Sequence, residues 1–281
     1  MQTQVNTYCI IGDPIQYSLS PAMYNAAFNS LGLNSTYIAF RVPKEELEQS
    51  IYSLRSINIA GFNVTSPHKV EIINYMNVLD RSVEKAQAVN TVHNLQGTFK
   101  AYNTDVQGFI EPLHKRKISF NGMTILLLGA GGAARAVIAA LSSEMGICEI
   151  KIVNRHQISA KELANMGSNL GLKCNTIDVS SIQEAAAKSH LIVNTIPFGR
   201  NTLQSTISYK NISKDSIIYD IVYKPVVTDL IENAQFAGAQ VIYGYEMLLE
   251  QGLISFEIWT GRPAPRDIMK KALFGSFGEP K

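Results

Sequence analysis

Lys69 and Asp105 are the residues of this sequence best equipped to move a proton, provided they meet. Lys69 ends the stretch GFNVTSPHK (61–69), and Asp105 ends AYNTD (101–105). Asn63, Thr65, Asn90, Asn103 and Thr104 lie close by in sequence and supply donors and acceptors for a hydroxylated ligand. The pattern around Lys69 predicts a strand, a sharp stop, and a helix with Ser66 as N-cap and Pro67 at its first position. Lys69 would then stand in the first helical turn, where unsatisfied N–H groups disfavour a cation. That placement is either solvated surface or of use to a proton shuttle. Asp105 or Thr104 equally suits the cap of a helix marked by Val106, Phe109, Ile110 and Leu113. Spacing alone does not bring Lys69 and Asp105 together.

Two other segments suit anions. In GDPIQYSLSP (12–21), Ser18 precedes Ser20 and Pro21, an N-cap and first-position pair. A helix start with two hydroxyls receives a carboxylate, although capping alone also explains Ser20. In LLLGAGGAARA (126–136), an apolar strand runs into Gly129, Gly131 and Ala134, which fits G-x-G-x-x-G/A. The next strand, EIKIVNR (149–155), ends about twenty residues later, where this motif meets the adenosine ribose. An NAD site places an acid there; this chain has Asn154 and Arg155. A guanidinium suits a 2′-phosphate, so the pattern favours NADP, the alternative being that Arg155 is a solvated loop cation.

These residues need a scaffold, and strand-length apolar runs alternate with helical patterns along most of the chain. TYCIIG, STYIAFRV, IAGFNVT, TILLLGA, EIKIVNR, CNTIDV, HLIVNTI, SIIYDIV and AQVIYG read as strands. PAMYNAAFNSLG and PKEELEQSIYSLRS read as helices between them. This predicts an α/β protein with parallel sheets, and a hairpin around Gln96-Gly97. Two sheets are expected, one in roughly the first hundred residues and one starting at TILLLGA. MLLEQGLISFEIWTG (247–261) reads as a helix with Met247, Gln251 and Trp259 near one face.

Bulk properties narrow the function. A hydrophobic fraction of 46% and a net charge of +2 fit a globular protein, with no basis for a nucleic-acid or membrane partner. The N-terminus lacks a basic segment followed by an apolar core, so no signal peptide is expected. Three scattered cysteines fit reduced thiols in a cytoplasm, with Cys9 and Cys174 expected to be buried in strands. The five histidines form no ligand pair, so no metal site is expected.

Taken in order, GDPIQYSLSP, GFNVTSPHK, AVNT, YNTDVQG, GAGGAAR, VNR, NTIPFG, DIVYKP and GYEMLLEQG…FEIWTG resemble the shikimate dehydrogenase family over nearly the whole chain. The resemblance implies an N-terminal α/β substrate domain, a Rossmann-type NADP domain, and C-terminal helices returning to the first. The expected ranges are 1–104 with 241–281, and 105–240. It implies NADP-linked interconversion of 3-dehydroshikimate and shikimate, in aromatic amino-acid biosynthesis. Lys69 and Asp105 correspond to the catalytic pair. Ser18, Ser20, Thr65, Asn90, Tyr223 and Gln251 correspond to substrate contacts. Gly129, Ala130, Gly131, Gly132 and Ala133 correspond to the pyrophosphate turn, and Asn154 and Arg155 to the 2′-phosphate site. Thr195, Gly244 and Met247 correspond to positions near the nicotinamide. The chain departs from the family pattern at Tyr17 and Tyr24, where histidine is common, and at His156, where threonine is usual. The next cation after Arg155 is Lys161. A quinate/shikimate dehydrogenase of broader specificity and a non-catalytic regulator binding shikimate or NADP are the alternatives. Oligomeric state is left open, a homodimer included.

Overall fold

The structure is a computed structural model that describes residues 5–198, 203 and 206–277. Gly199 of the NTIPFG segment and the extreme ends of the expected domain ranges lie outside the described residues. The chain divides into two compact units: Met1–Gly108 with Leu249–Lys281, and Phe109–Leu248. The unit limits therefore fall after residues 108 and 248 rather than after 104 and 240. They lie inside the helices α4 (Asp105–Lys115) and α9 (Gly244–Thr260), which run unbroken through them. No helix among the described residues is long and apolar enough to cross a membrane.

The first unit is built on β1 (Asn6–Gly12), β2 (Ser35–Arg41), β3 (Gly61–Val64), β4 (Val78–Leu79), β5 (Thr91–Leu95) and β6 (Thr98–Tyr102). Their order is β2-β1-β3-β5-β6-β4. β1 pairs in parallel with β2 and β3, whereas β3–β5 and β5–β6 are antiparallel. Alternation along β1 sends its side chains to two cores. Cys9 and Ile11 join Leu47, Ile51 and Leu54 of α2 (Leu47–Ser56). Tyr8 packs on Phe28 of α1 (Ser20–Ser30) and on Trp259 of α9, with ring centroids 5.2 and 5.0 Å apart. The expected hairpin forms, with Gln96 at φ 53° and Gly97 at φ 89°, the left-handed pair a two-residue turn requires. The helices α3 (Arg81–Ala86) and α10 (Arg266–Phe277) complete this unit.

The second unit carries β7 (Thr124–Leu128), β8 (Glu149–Val153), β9 (Cys174–Thr176), β10 (Leu191–Asn194), β11 (Ile217–Asp220) and β12 (Gln240–Tyr243). The order is β12-β11-β10-β7-β8-β9, every pair parallel. The connecting helices are α5 (Gly132–Leu141), α6 (Gln157–Asn169), α7 (Ile182–Ala187) and α8 (Asp229–Ala237). This is the doubly wound dinucleotide-binding order, and its direction reverses between β7 and β10. Every residue of β10 and β11 is buried, as a parallel sheet covered on both faces demands. Cys9 is buried as expected, but Cys174 on β9 is only half-buried.

One local expectation fails. No helix starts at Ser66: residues 66–70 form turns, and a 3-10 segment follows at Glu71–Tyr75. A helix there would need the carbonyls of 66 and 69 for amides four residues on. Those carbonyls are taken by distant partners instead, Ser66 O by Asp13 N–H (2.9 Å) and Lys69 O by Val89 N–H (2.7 Å). Lys69 therefore sits in a tethered loop, and helix-end electrostatics do not act on it. At α1, Ser20 is the first helical residue rather than the cap, and its N–H donates to Ser18 Oγ at 3.3 Å.

Candidate active site

Lys69 and Asp105 meet. Lys69 Nζ donates to Asp105 Oδ2 at 2.5 Å, with both side chains largely buried. Lys69 is placed by the loop after β3, whose carbonyl anchors are described above. Asp105 opens α4, where the helix end favours a carboxylate. Its other oxygen accepts from Asn90 Nδ2 at 2.8 Å.

Asn90 is the hub of a buried polar cluster. Its backbone is pinned on both sides, its carbonyl accepting from Val64 N–H (2.8 Å) and its N–H donating to Tyr102 O (3.2 Å). Its Nδ2 also donates to Thr104 Oγ1 at 2.8 Å, and its Oδ1 accepts from Thr104 N–H at 2.8 Å. Gln251 Oε1 faces Asn90 Nδ2 and Thr104 Oγ1, each at 3.4 Å, so its Nε2 points away from that pair. Behind them Ser255 Oγ lies 2.8 Å from Thr91 Oγ1 and 3.1 Å from Thr104 Oγ1. Asn63 donates to Thr91 Oγ1 (3.0 Å) and accepts from Tyr37 OH (2.7 Å). Low polarity around such a cluster strengthens each bond and fixes the geometry of the whole.

Four of the predicted residues are thus joined in the first unit: Lys69, Asp105, Asn90 and Gln251. Ser18, Ser20 and Thr65 follow β1 and β3, adjacent strands whose loops leave side by side; Thr65 N–H donates to Ile11 O at 2.9 Å. Tyr223 belongs to the second unit, half-buried in the loop after β11. Thr91, Ser255 and Tyr37 were not among the predicted residues. Ser255 had a signal, since it lies one helical turn after Gln251 and shares its face.

The second unit has the shape a dinucleotide needs. Gly129 follows β7 at φ 102°, and a Cβ there would stand 2.5 Å from Thr195 Oγ1. Thr195 Oγ1 in turn donates to Leu128 O at 2.7 Å, tying β10 to the turn. Gly131 caps α5 without a side chain to take its first amides, and a Cβ on it would meet nothing within 4 Å. Open space at uncapped N–H groups fits a pyrophosphate, with Ala130, Gly132 and Ala133 completing the turn. At the end of β8, Asn154 Nδ2 donates to His156 O at 3.0 Å, and Arg155 is exposed. Gly244 starts α9 against the carbonyls of Ile221 and Val222, where a side chain would collide; Met247 is buried.

Asp220, at the end of β11, is a fully buried carboxylate bonded to neutral donors. It accepts from Asn194 Nδ2 (2.8 Å), Val222 N–H (3.0 Å) and Thr228 Oγ1 (2.7 Å). Burial pushes its proton affinity up, and these three bonds only partly oppose that. Because the folded state then holds the proton more tightly than the unfolded chain, the group favours folding most in acid. That contribution is lost as pH rises from the ordinary aspartate range through the raised value. In chemical denaturation, the stability lost in Asp220→Asn should be largest in acid and shrink toward neutrality. A loss that grows with pH would contradict this.

Comparison with known proteins places these features in one family. Residues 10–92 match the shikimate dehydrogenase substrate binding domain, 112–223 the shikimate / quinate 5-dehydrogenase family, and 244–274 the shikimate 5′-dehydrogenase C-terminal domain. The shikimate dehydrogenase (NADP(+)) of Nitrosopumilus maritimus (strain SCM1) is 45% identical, across 96% of this chain and 99% of that protein. The shikimate dehydrogenase of Aquifex aeolicus superposes with a TM-score of 0.86 at 34% identity, across 97% of this chain and 99% of that one. A Thermus thermophilus shikimate 5-dehydrogenase, solved with NADP(H) and shikimate, gives 0.82 at 31% identity, across 97% and 100%. Matched over 96% of its length in sequence and 97% in fold, this chain belongs to the shikimate dehydrogenase family.

Proposed function

We propose that this chain interconverts 3-dehydroshikimate and shikimate with NADP, in the pathway leading to chorismate and the aromatic amino acids. The observation that carries the reading is the contact of Lys69 Nζ with Asp105 Oδ2. Oxidation of a secondary ring alcohol removes a hydride from carbon and a proton from oxygen. Bound NADP supplies the hydride acceptor. Lys69 as the amine takes the hydroxyl proton in that direction, and as the ammonium returns it to the carbonyl oxygen in the other. Asp105 orients the lysine and offsets its positive charge, while Asn90 holds Asp105 in place. Ser18 and Ser20 receive the substrate carboxylate; Thr65, Asn90, Tyr223 and Gln251 contact ring hydroxyls. The first unit is the substrate-binding and catalytic domain. The second is the cofactor domain, with Gly129 to Ala133 on the pyrophosphate, Asn154 and Arg155 on the 2′-phosphate, and Thr195, Gly244 and Met247 toward the nicotinamide. The enzyme works in the cytoplasm, which the free thiols of Cys9, Cys148 and Cys174 support.

The test is production of reduced cofactor, followed by absorbance, with shikimate and NADP. Turnover with shikimate exceeding that with quinate supports the reading; faster turnover of quinate, or none of either acid, contradicts it. Arg155→Ala should raise KM for NADP about ten- to hundredfold, the worth of one or two charge-assisted bonds, and leave KM for NAD unchanged. An equal effect on both cofactors would remove Arg155 from the 2′-phosphate site.

A further inference from the structure

His68, the residue before Lys69, is a buried polar side chain that the reaction described so far does not use. Residues 66–70 make only turns, so the position of Lys69 depends on what ties this loop down. Backbone ties run from Thr65 N–H to Ile11 O (2.9 Å), from Asp13 N–H to Ser66 O (2.9 Å) and from Val89 N–H to Lys69 O (2.7 Å). A further tie belongs to a side chain. His68 Nε2 lies 2.7 Å from Val42 O, and because a carbonyl only accepts, Nε2 carries the proton and donates it. The acceptor is itself fixed, since Val42 lies in the core of the first unit and its own N–H donates to Gly12 O at 3.1 Å.

Of residues 66–70, only His68 is wholly buried, and Pro67 and Val70 are exposed. The imidazole therefore seats the loop directly beside Lys69. Burial by itself does not account for an imidazole. Its Nδ1 is buried with no hydrogen-bond partner among the described residues, a cost to folding that an apolar side chain would avoid. What an apolar side chain lacks is the directed bond to Val42 O. That bond holds the lysine loop from the side of β1 and β2. Val89 N–H holds it from the other side, next to Asn90, which in turn holds Asp105. Lys69 thus hangs between two supports, and a group that moves a proton loses rate steeply when one of its supports slips.

We propose that His68 is a positioning residue for Lys69, its Nε2–H bond to Val42 O holding the loop so that Nζ stays on Asp105. The proposal rests on the functional reading above, in which Lys69 moves the proton. It is tested on the full-length protein by steady-state kinetics and thermal unfolding of His68→Leu, His68→Asn and His68→Gln, with Leu54→Ala as a destabilised control from the same core. His68→Leu keeps bulk without a donor, and the amide of His68→Asn stops short of Val42 O. Each should lower kcat for shikimate oxidation about ten- to hundredfold, the cost of a misplaced group. KM for shikimate and for NADP should hold, because the assigned binding contacts lie on other side chains. His68→Gln can place an N–H where the ring has its own, and should recover most of the lost kcat. Leu54→Ala should lower Tm through the cavity it leaves, with kcat unchanged. Wild-type kcat in His68→Leu and His68→Asn would overturn the proposal. So would a His68→Gln as slow as those two, or an equal fall of kcat in Leu54→Ala. Wild-type protein inactive on shikimate would overturn the functional reading itself; an active wild type with indifferent His68 variants sinks only the role of His68.

Discussion

Lys69→Ala should lower kcat for shikimate oxidation by about 10²- to 10⁴-fold, the range for loss of a positioned acid–base group. KM for shikimate should change little, because the assigned binding contacts lie on other side chains. The fold should survive, since Asp105 keeps its bond from Asn90 and its place at the start of α4. Lys69→Arg separates proton transfer from charge. A guanidinium preserves an ion pair with Asp105 but does not release its proton, so kcat should fall nearly as far. Wild-type turnover in Lys69→Ala would remove the lysine from the mechanism. Wild-type turnover in Lys69→Arg would leave it only an electrostatic part.

Gly131→Val should lower NADP affinity about 10²-fold, the equivalent of two lost bonds from backbone N–H groups to phosphate, while Tm holds. The two effects separate because Gly131 has an ordinary backbone conformation, φ −89°, and a Cβ there meets no protein atom within 4 Å. The added Cβ enters the space assigned to the pyrophosphate. Gly129→Ala is the contrasting case. At φ 102° and 2.5 Å from Thr195 Oγ1, its Cβ strains the turn itself, so stability falls by about 1–3 kcal/mol along with affinity. Calorimetric titration with NADP and thermal unfolding of both variants check this. Unaltered NADP affinity in Gly131→Val would remove the turn from the cofactor site.

Local pattern carried the fold further than it carried the site. Strand-length apolar runs against helical periodicity are short-range signals, and each run named from them overlaps one of the observed strands. The Gln96-Gly97 turn was equally legible, because left-handed backbone at two successive positions has a narrow residue preference. The segment at Ser66–Lys69 was misread for the opposite reason. Serine and proline there give a helix-start pattern, but what decides the conformation is the capture of two carbonyls by Asp13 and Val89, contacts set by the sheet. At the site, Lys69, Asp105, Asn90 and Gln251 were each named from sequence, yet nothing in their spacing required that they meet. Ser255, Thr91 and Tyr37 are ordinary residues in ordinary elements, and only the register of β3 with β5 and the seating of α9 give them partners.

The most direct test is a double-mutant cycle on kcat for shikimate oxidation, using Lys69→Ala, Asp105→Asn and the two combined. If lysine and carboxylate act as one proton-handling unit, the double variant should be about as slow as Lys69→Ala alone, the signature of residues that fail together. Losses that multiply would mean that the two side chains act independently, and the contact between them would then not be the basis of the chemistry.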